Sequence, residues 1–162
     1  MIPFRAEPRP ADVAAVTALV SATGVFREAE IAIAAELVGE ALARGAVASG
    51  YRFLFADDAS GRLLGYACYG PIAGTVHSFD LYWIAVDLAH QGRGLGRHLM
   101  AGVEAAVRAA GGRRLYTDTS TSEAYAPTRA FYLRCGHHLA AELPDFYAPG
   151  DGKAVFCKVL IP

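Results

Sequence analysis

Val86-Asp87-Leu88-Ala89-His90-Gln91-Gly92-Arg93-Gly94-Leu95-Gly96-Arg97 joins a strongly apolar run to a long amphipathic one through three glycines at alternate positions. Upstream, residues 77–86 read as a strand too apolar for an exposed edge and suited to the centre of a sheet. Downstream, Leu95, Leu99, Val103, Ala106, Val107 and Ala110 recur at helical spacing, Glu104 and Arg108 make an i,i+4 pair, and Gly111-Gly112 stops the helix. Glycine permits positive φ and lets backbone N–H groups approach a ligand with no Cβ in the way. The first amides of a helix lack intrahelical partners and, with the helix dipole, favour an anion such as a pyrophosphate. Arg93 and Arg97 add positive charge beside that nest. An ordinary glycine-rich turn is the competing reading. A P-loop fits poorly because no Lys follows the glycines, and so does the dinucleotide fingerprint, because the spacing from Gly92 to Gly96 is one residue short.

The flanking sequence supplies the other elements. Residues 2–6 suit a short strand, and Pro8 and Pro10 lead into a helix with Asp12 in its first turn and Val13, Val16, Leu19 and Val20 on one face. A second helix is expected over residues 28–43, with Gly45 as its stop. Residues 51–55 and 63–69 read as strands joined by a turn at 57–61. Beyond the long helix come a strand at 115–119, a helix at 127–134 ended by Gly136, a strand at 138–143, a turn over 144–151 and a last strand at 154–160. The order β-α-α-β-β-β-α-β-α-β-β predicts an α/β (α+β) mixed sheet containing one parallel right-handed crossover.

The 162 residues and the absence of repeats or linkers predict a single domain over residues 1–162. Apolar types make up 54% and charged types 19%, enough for a core and unlike a disordered chain. A formal net charge of −1 with no basic stripe argues against a nucleic-acid partner. Apolar runs are too short to span a bilayer, and residues 1–10 lack an export pattern, so no membrane partner is expected. Three cysteines, Cys68, Cys135 and Cys157, without CxxC spacing suit a reducing cytoplasm and argue against a thiolate metal site.

Gln91-Gly92-Arg93-Gly94-Leu95-Gly96 resembles the (Q/R)xxGx(G/A) signature of the GNAT N-acetyltransferase superfamily, and it follows the fourth strand as in that family. A second patch, Thr128-Arg129-Ala130-Phe131-Tyr132-Leu133-Arg134-Cys135-Gly136-His137, is similar to the family's AxxFYxxxGF helix. The resemblance implies a GNAT-like domain with a splayed central strand pair, using acetyl-CoA as co-substrate and no metal. It implies that Gln91, Gly92, Arg93, Gly94, Leu95, Gly96 and Arg97 hold the pyrophosphate, and that backbone of Ile84, Ala85 and Val86 pairs with the pantetheine arm. The segment Asp118-Thr119-Ser120-Thr121-Ser122 falls where the family lines the pantetheine channel, with Thr119 and Ser120 as the contacts, although a plain polar loop is the alternative there. Tyr125 occupies the position where the family often has a pantetheine-contacting Asn, and His137 one that is usually aromatic.

Acyl transfer to an amine needs a proton acceptor, because a lysine-like amine has a pKa of about 10.4. The resemblance implies Asp80, six residues before Val86, as that base, with a salt-bridged strand-start Asp as the competing reading. It implies Tyr132 as the acid that protonates the departing thiolate, with a core aromatic as the alternative. Nothing nearby in sequence activates Cys135, so direct transfer in a ternary complex is expected over an acyl-cysteine route. Cys68 and Cys157 read as buried strand cysteines, His77, His90 and His98 as surface groups, and His137 and His138 as packed or exposed rather than chelating. In the family the first two helices and the C-terminal hairpin wall the acceptor side, where Glu28, Glu30 and the hairpin acids can attract a cationic amine. A small-molecule amine is the expected acceptor. A peptide or protein amine, a non-catalytic acyl-CoA-binding regulatory domain, a nucleotide binder, and a homodimer paired through the C-terminal strands stay open.

Overall fold

The computed structural model describes residues 2–161. The elements are β1 (Phe4–Arg5), α1 (Pro10–Ala22), α2 (Glu28–Ser49), β2 (Arg52–Asp57), β3 (Leu63–Pro71), β4 (Ser78–Val86), α3 (Leu95–Ala109), β5 (Arg114–Ser120), α4 (Ala126–Arg134), β6 (His138–Ala148) and β7 (Asp151–Val159). The order is the one expected, and the strands form a seven-stranded mixed sheet in the order β1-β2-β3-β4-β5-β7-β6. The chain forms two compact units, one of the chain up to Gly70 with Trp83–Val103, the other of Pro71–Tyr82 with the chain from Glu104. The strand β4 contributes residues to both.

In the first unit, α1 and α2 lay Val16, Val20, Ala34 and Val38 onto Phe53, Phe55, Tyr66 and Cys68 of β2 and β3. Asp12 does more than begin a helix. It accepts from the Arg9 N–H at 2.6 Å and pairs with Arg5 at 2.8 Å, and Arg5 also reaches Asp57 at 3.0 Å and lies over the Phe55 ring. This ion cluster ties β1, α1 and β2 together with every partner satisfied, as buried charge requires. Gly45 interrupts α2 with φ 78° and ψ 162°, but the helix resumes beyond it and stops at Gly50, whose left-handed conformation caps it. The expected stop is thus a kink. His98 is not a loose surface group: its ring packs at a tilt against Phe4 and bonds to the Ile2 carbonyl at 3.0 Å.

In the second unit, Phe79, Leu81, Leu115, Tyr132 and Phe156 are buried. The β4–β5 ladder is parallel and has only three partner pairs, Ser78↔Arg114, Phe79↔Leu115 and Asp80↔Tyr116, although both strands run on past its end. This is the expected splay. Glu104 pairs with Arg108 at 3.7 Å as its spacing predicts, and also takes a 2.7 Å bond from Lys158. The hairpin turn expected over residues 144–151 is shorter: β6 continues to Ala148, absorbs Pro144–Tyr147 as a register shift against β7, and turns at Pro149-Gly150. All eleven residues of β6 are exposed, so no buried face imprints an alternating pattern on its sequence.

Candidate active site

In the first unit the chain leaves β4 through Asp87, whose carboxylate accepts from the Ala89 N–H at 3.0 Å, lies 2.9 Å from His90 Nδ1 and pairs with Arg62 at 2.7 Å. The His90 bond, Arg62 and the Ala89 amide hold that carboxyl below its usual range. These contacts fix one turn of 3-10 helix, Leu88–His90, and Gln91 closes it by donating to the Val86 carbonyl at 3.1 Å. Gly92 and Gly94 follow with φ of 72° and 88°, a conformation that L side chains rarely adopt. The first backbone bond of α3 runs from the His98 N–H to the Gly94 carbonyl at 3.0 Å. The amides of Leu95, Gly96 and Arg97 precede it and belong to the part of a helix that has no internal acceptor. Gln91, Gly92, Arg93, Gly94 and Arg97 are exposed, and no atom lies within 4 Å of a Cβ built on either positive-φ glycine. Exposed helix-start residues flanked by two guanidinium groups are the kind of site that fits a phosphate anion. Of the β4 residues upstream, Ala85 is buried and Ile84 and Val86 are half-buried.

In the second unit the ladder ends at Asp80, which is half-buried. Its carboxyl is pushed up to about 6, first by burial and then by Asp118, with Lys153 pulling the other way. Asp118 lies two residues beyond Tyr116, the partner of Asp80, and therefore on the same sheet face. It forms a 2.7 Å ion pair with Lys153 of β7. Tyr132 of α4 is buried and hydrogen-bonded to the Thr117 hydroxyl, and burial raises its phenol so that it stays protonated at neutral pH. Neighbouring residues of a strand face opposite sides, so Tyr132 meets the Thr117 face of β5 while Asp80 shares the Tyr116 face. The Tyr132 ring is wedged among Phe131, His137 and Phe156 at 5.7, 5.9 and 5.7 Å.

Thr119 and Ser120 are buried within β5 itself rather than in a loop. The Ser120 hydroxyl donates to Asp151 and accepts from the Ser122 N–H at 2.9 Å, and Arg129 clamps the Ser120 and Ser122 carbonyls at 2.8 Å each. Tyr125 is half-buried at the start of α4. Of the acids proposed to draw in an amine, Glu30 is engaged in capping α2 by accepting from the Arg27 N–H at 2.8 Å. Sequence reasoning did not single out Thr117 or Lys153, and placed Asp118 only within the channel segment 118–122. The alternation Tyr116-Thr117-Asp118 carries part of that signal, whereas Lys153 requires the β5–β7 register. Among the described residues no group of three or more His, Cys, Asp or Glu is placed to hold a metal ion, and no helix is long and apolar enough to cross a membrane.

Comparison with known proteins supplies the decisive observation: the model of the Acetyltransferase (GNAT) family matches residues 26–137, more than half of the chain. The chain belongs to the GNAT family. A crystal structure from Desulfovibrio desulfuricans, of a protein assigned to the GNAT acetyltransferases, superposes with a TM-score of 0.96 at 43% identity, covering 99% of this chain and 100% of that one. Among curated proteins, the blasticidin-S acetyltransferase of Streptomyces morookaense is 42% identical over 103 residues, 59% of this chain and 73% of its own. An aminoglycoside 6'-N-acetyltransferase complexed with coenzyme A shares the fold at a TM-score of 0.77 and 18% identity, covering 100% of this chain and 98% of that one. GNAT membership makes the protein an acetyltransferase with acetyl-CoA as its co-substrate. The glycine turn and α4 are the two segments where its sequence carries the family's signatures.

Proposed function

We propose that this GNAT enzyme transfers the acetyl group of acetyl-CoA directly to the primary amine of a small, cationic acceptor. Acetyl-CoA supplies an acyl carbon activated as a thioester. The amides and arginines of residues 91–97 bind its pyrophosphate, and the backbone of Ile84, Ala85 and Val86 orients the pantetheine arm, with Thr119, Ser120 and Tyr125 along the channel. Asp80 takes the ammonium proton of the acceptor, directly or through water. As the C–N bond forms the nitrogen releases its second proton to solvent, and as the C–S bond breaks Tyr132 gives its phenolic proton to the departing thiolate and regains one from solvent.

The observation that carries this reading is the half-buried carboxyl of Asp80, raised to about 6. A base of that strength is ionised at neutral pH, yet holds a proton better than an ordinary Asp. Tyr132, buried and neutral beside Thr117, suits the complementary role. The named substrate of the blasticidin-S acetyltransferase, a small molecule, supports the choice of acceptor class.

The test is thiol release from acetyl-CoA against a panel containing blasticidin S, aminoglycosides and lysine-bearing peptides, with products read by mass spectrometry. Acetylated small-molecule product is expected. Acetylation confined to the peptides removes the small-molecule assignment, and coenzyme binding without turnover on any amine leaves a regulatory domain.

A further inference from the structure

Three observations in the second unit concern a pair of side chains that the chemistry above does not use. Asp80 and Tyr116 are register partners on β4 and β5, so Asp118 lies on the face that carries Asp80, one step along the strand. Lys153 enters that face from β7, where it partners Ser120, and its Nζ reaches diagonally to Asp118 Oδ2 at 2.7 Å. On its other side the same Nζ stands 4.7 Å from the centre of the Phe146 ring. A carboxylate and an aromatic face thus hold one ammonium at a fixed point beside Asp80.

We propose that Asp118 and Lys153 are positioning residues for acyl transfer, their cross-strand ion pair setting the field in which Asp80 accepts the proton of the amine. The inference rests on the reading of Asp80 as the base. A lone Asp118 beside Asp80 would place two carboxylates on one sheet face, and like charges drive one of them to hold its proton. A lone Lys153 would do the opposite and make Asp80 too weak a base to draw a proton from an ammonium. The pair leaves Asp80 between these limits, which agrees with the opposed effects of Asp118 and Lys153 on its carboxyl. The other charged or titratable groups that act on this face are Cys157 and Arg114, which interact with Tyr116, and Tyr147, which interacts with Lys153. Burial raises the Tyr116 phenol, so it keeps its proton where Asp80 titrates. A purely structural ion pair, with Asp118 39% exposed, would add a little stability and leave Asp80 unmoved.

The experiment is a carboxyl-carbon NMR titration of the full chain labelled at aspartate, the Asp80 signal being assigned by its loss in Asp80→Asn. It is run beside the pH profile of kcat/KM for thiol release with the best amine of the panel above. Lys153→Met is expected to raise the Asp80 midpoint by about one pH unit and Asp118→Asn to lower it by a similar amount, while Lys153→Arg stays near the parent. The acidic limb of the rate profile follows each shift. Opposite displacements from two changes at one ion pair are not what a loss of packing produces. If neither variant moves the midpoint while Asp80→Asn still abolishes turnover, the pair is structural and the proposal fails, but Asp80 keeps its role. If Asp80→Asn turns over normally, the base assignment falls and the positioning role falls with it.

Discussion

Replacing His137 with Phe should make the protein more stable, and more so in acid. The imidazole is 3% exposed, and neither Nδ1 nor Nε2 has a hydrogen-bond partner. Burial first, then the positive charge of Lys158 and the neighbouring His138, lowers its pKa from 6.5 to about 4. That displacement is worth about 3 kcal/mol, and about 2 kcal/mol once solvent screening of the flanking charges is allowed for. The sign follows from proton counting: between about 4 and 6.5 the unfolded chain protonates this histidine and the folded one does not. Its neutral, folded form is therefore fully favoured above 6.5, and stability is lost as the pH falls towards 4. Phenylalanine has a similar outline, belongs beside Tyr132 and Phe156, and carries no unpaired nitrogen; near pH 7 this should stabilise by about 1 kcal/mol. Urea unfolding of parent and His137→Phe near pH 7 and near pH 4.5 should show the gap widening by about 2 kcal/mol at the lower pH. An equal gap at both values would refute the buried, neutral histidine, and a loss of stability at both would refute the packing argument.

Tyr132→Phe removes one hydroxyl bonded to Thr117 and should cost about 1 kcal/mol or less in stability, while kcat for thiol release falls about 100-fold with the KM for acetyl-CoA unchanged. Retained turnover would remove the tyrosine from the chemistry. Gly94→Ala meets no steric contact but forces an L side chain to φ 88°, so about 1–2 kcal/mol of stability should be lost. Calorimetry should also register weaker coenzyme A binding, and unchanged affinity would mean that the turn is not the anion site. Asp80→Asn should abolish turnover yet stabilise the fold near pH 7 by about 1–2 kcal/mol, because a half-buried carboxylate no longer has to stay charged.

The element order was legible because hydrophobic period and glycine punctuation agree along most of the chain. Leu95, Leu99 and Val103 are buried at the spacing their helix demands. Legibility failed where the local signal was missing or ambiguous. β6 buries nothing, so its second half carries no alternation and read as a turn. Gly45 has the composition of a stop, and only the chain beyond it reveals that it is a kink. Asp80 and Tyr132 stood out through the residues around them, but that they meet opposite faces of β5 follows from the register Asp80↔Tyr116 and the bond to Thr117, neither of which a single strand encodes. Lys153 lies 35 residues beyond Asp118 in sequence and meets it only because β7 pairs antiparallel with β5. Side chains that act through a neighbour across a sheet are the ones a linear reading loses.

Asp80 and His137 together make the acid stability of this protein a balance of opposites. Both sit in the second unit, and each has its proton affinity displaced chiefly by burial, one upward to about 6 and the other downward to about 4. Between those values the folded state binds more protons than the unfolded chain at Asp80 and fewer at His137. Asp80 therefore lowers stability as the pH rises through this window, and His137 raises it. The displacements are of similar size, so much of the two slopes cancels, and the parent protein should respond weakly to pH there through these groups. Asp80→Asn should unmask the histidine, giving stability that climbs with pH, and His137→Phe should unmask the carboxylate, giving stability that declines. The double variant should return to a shallow profile at a higher overall level. A double variant whose profile follows one single variant instead would mean that the slope of that variant comes from other groups and not from the carboxylate or imidazole to which it is assigned.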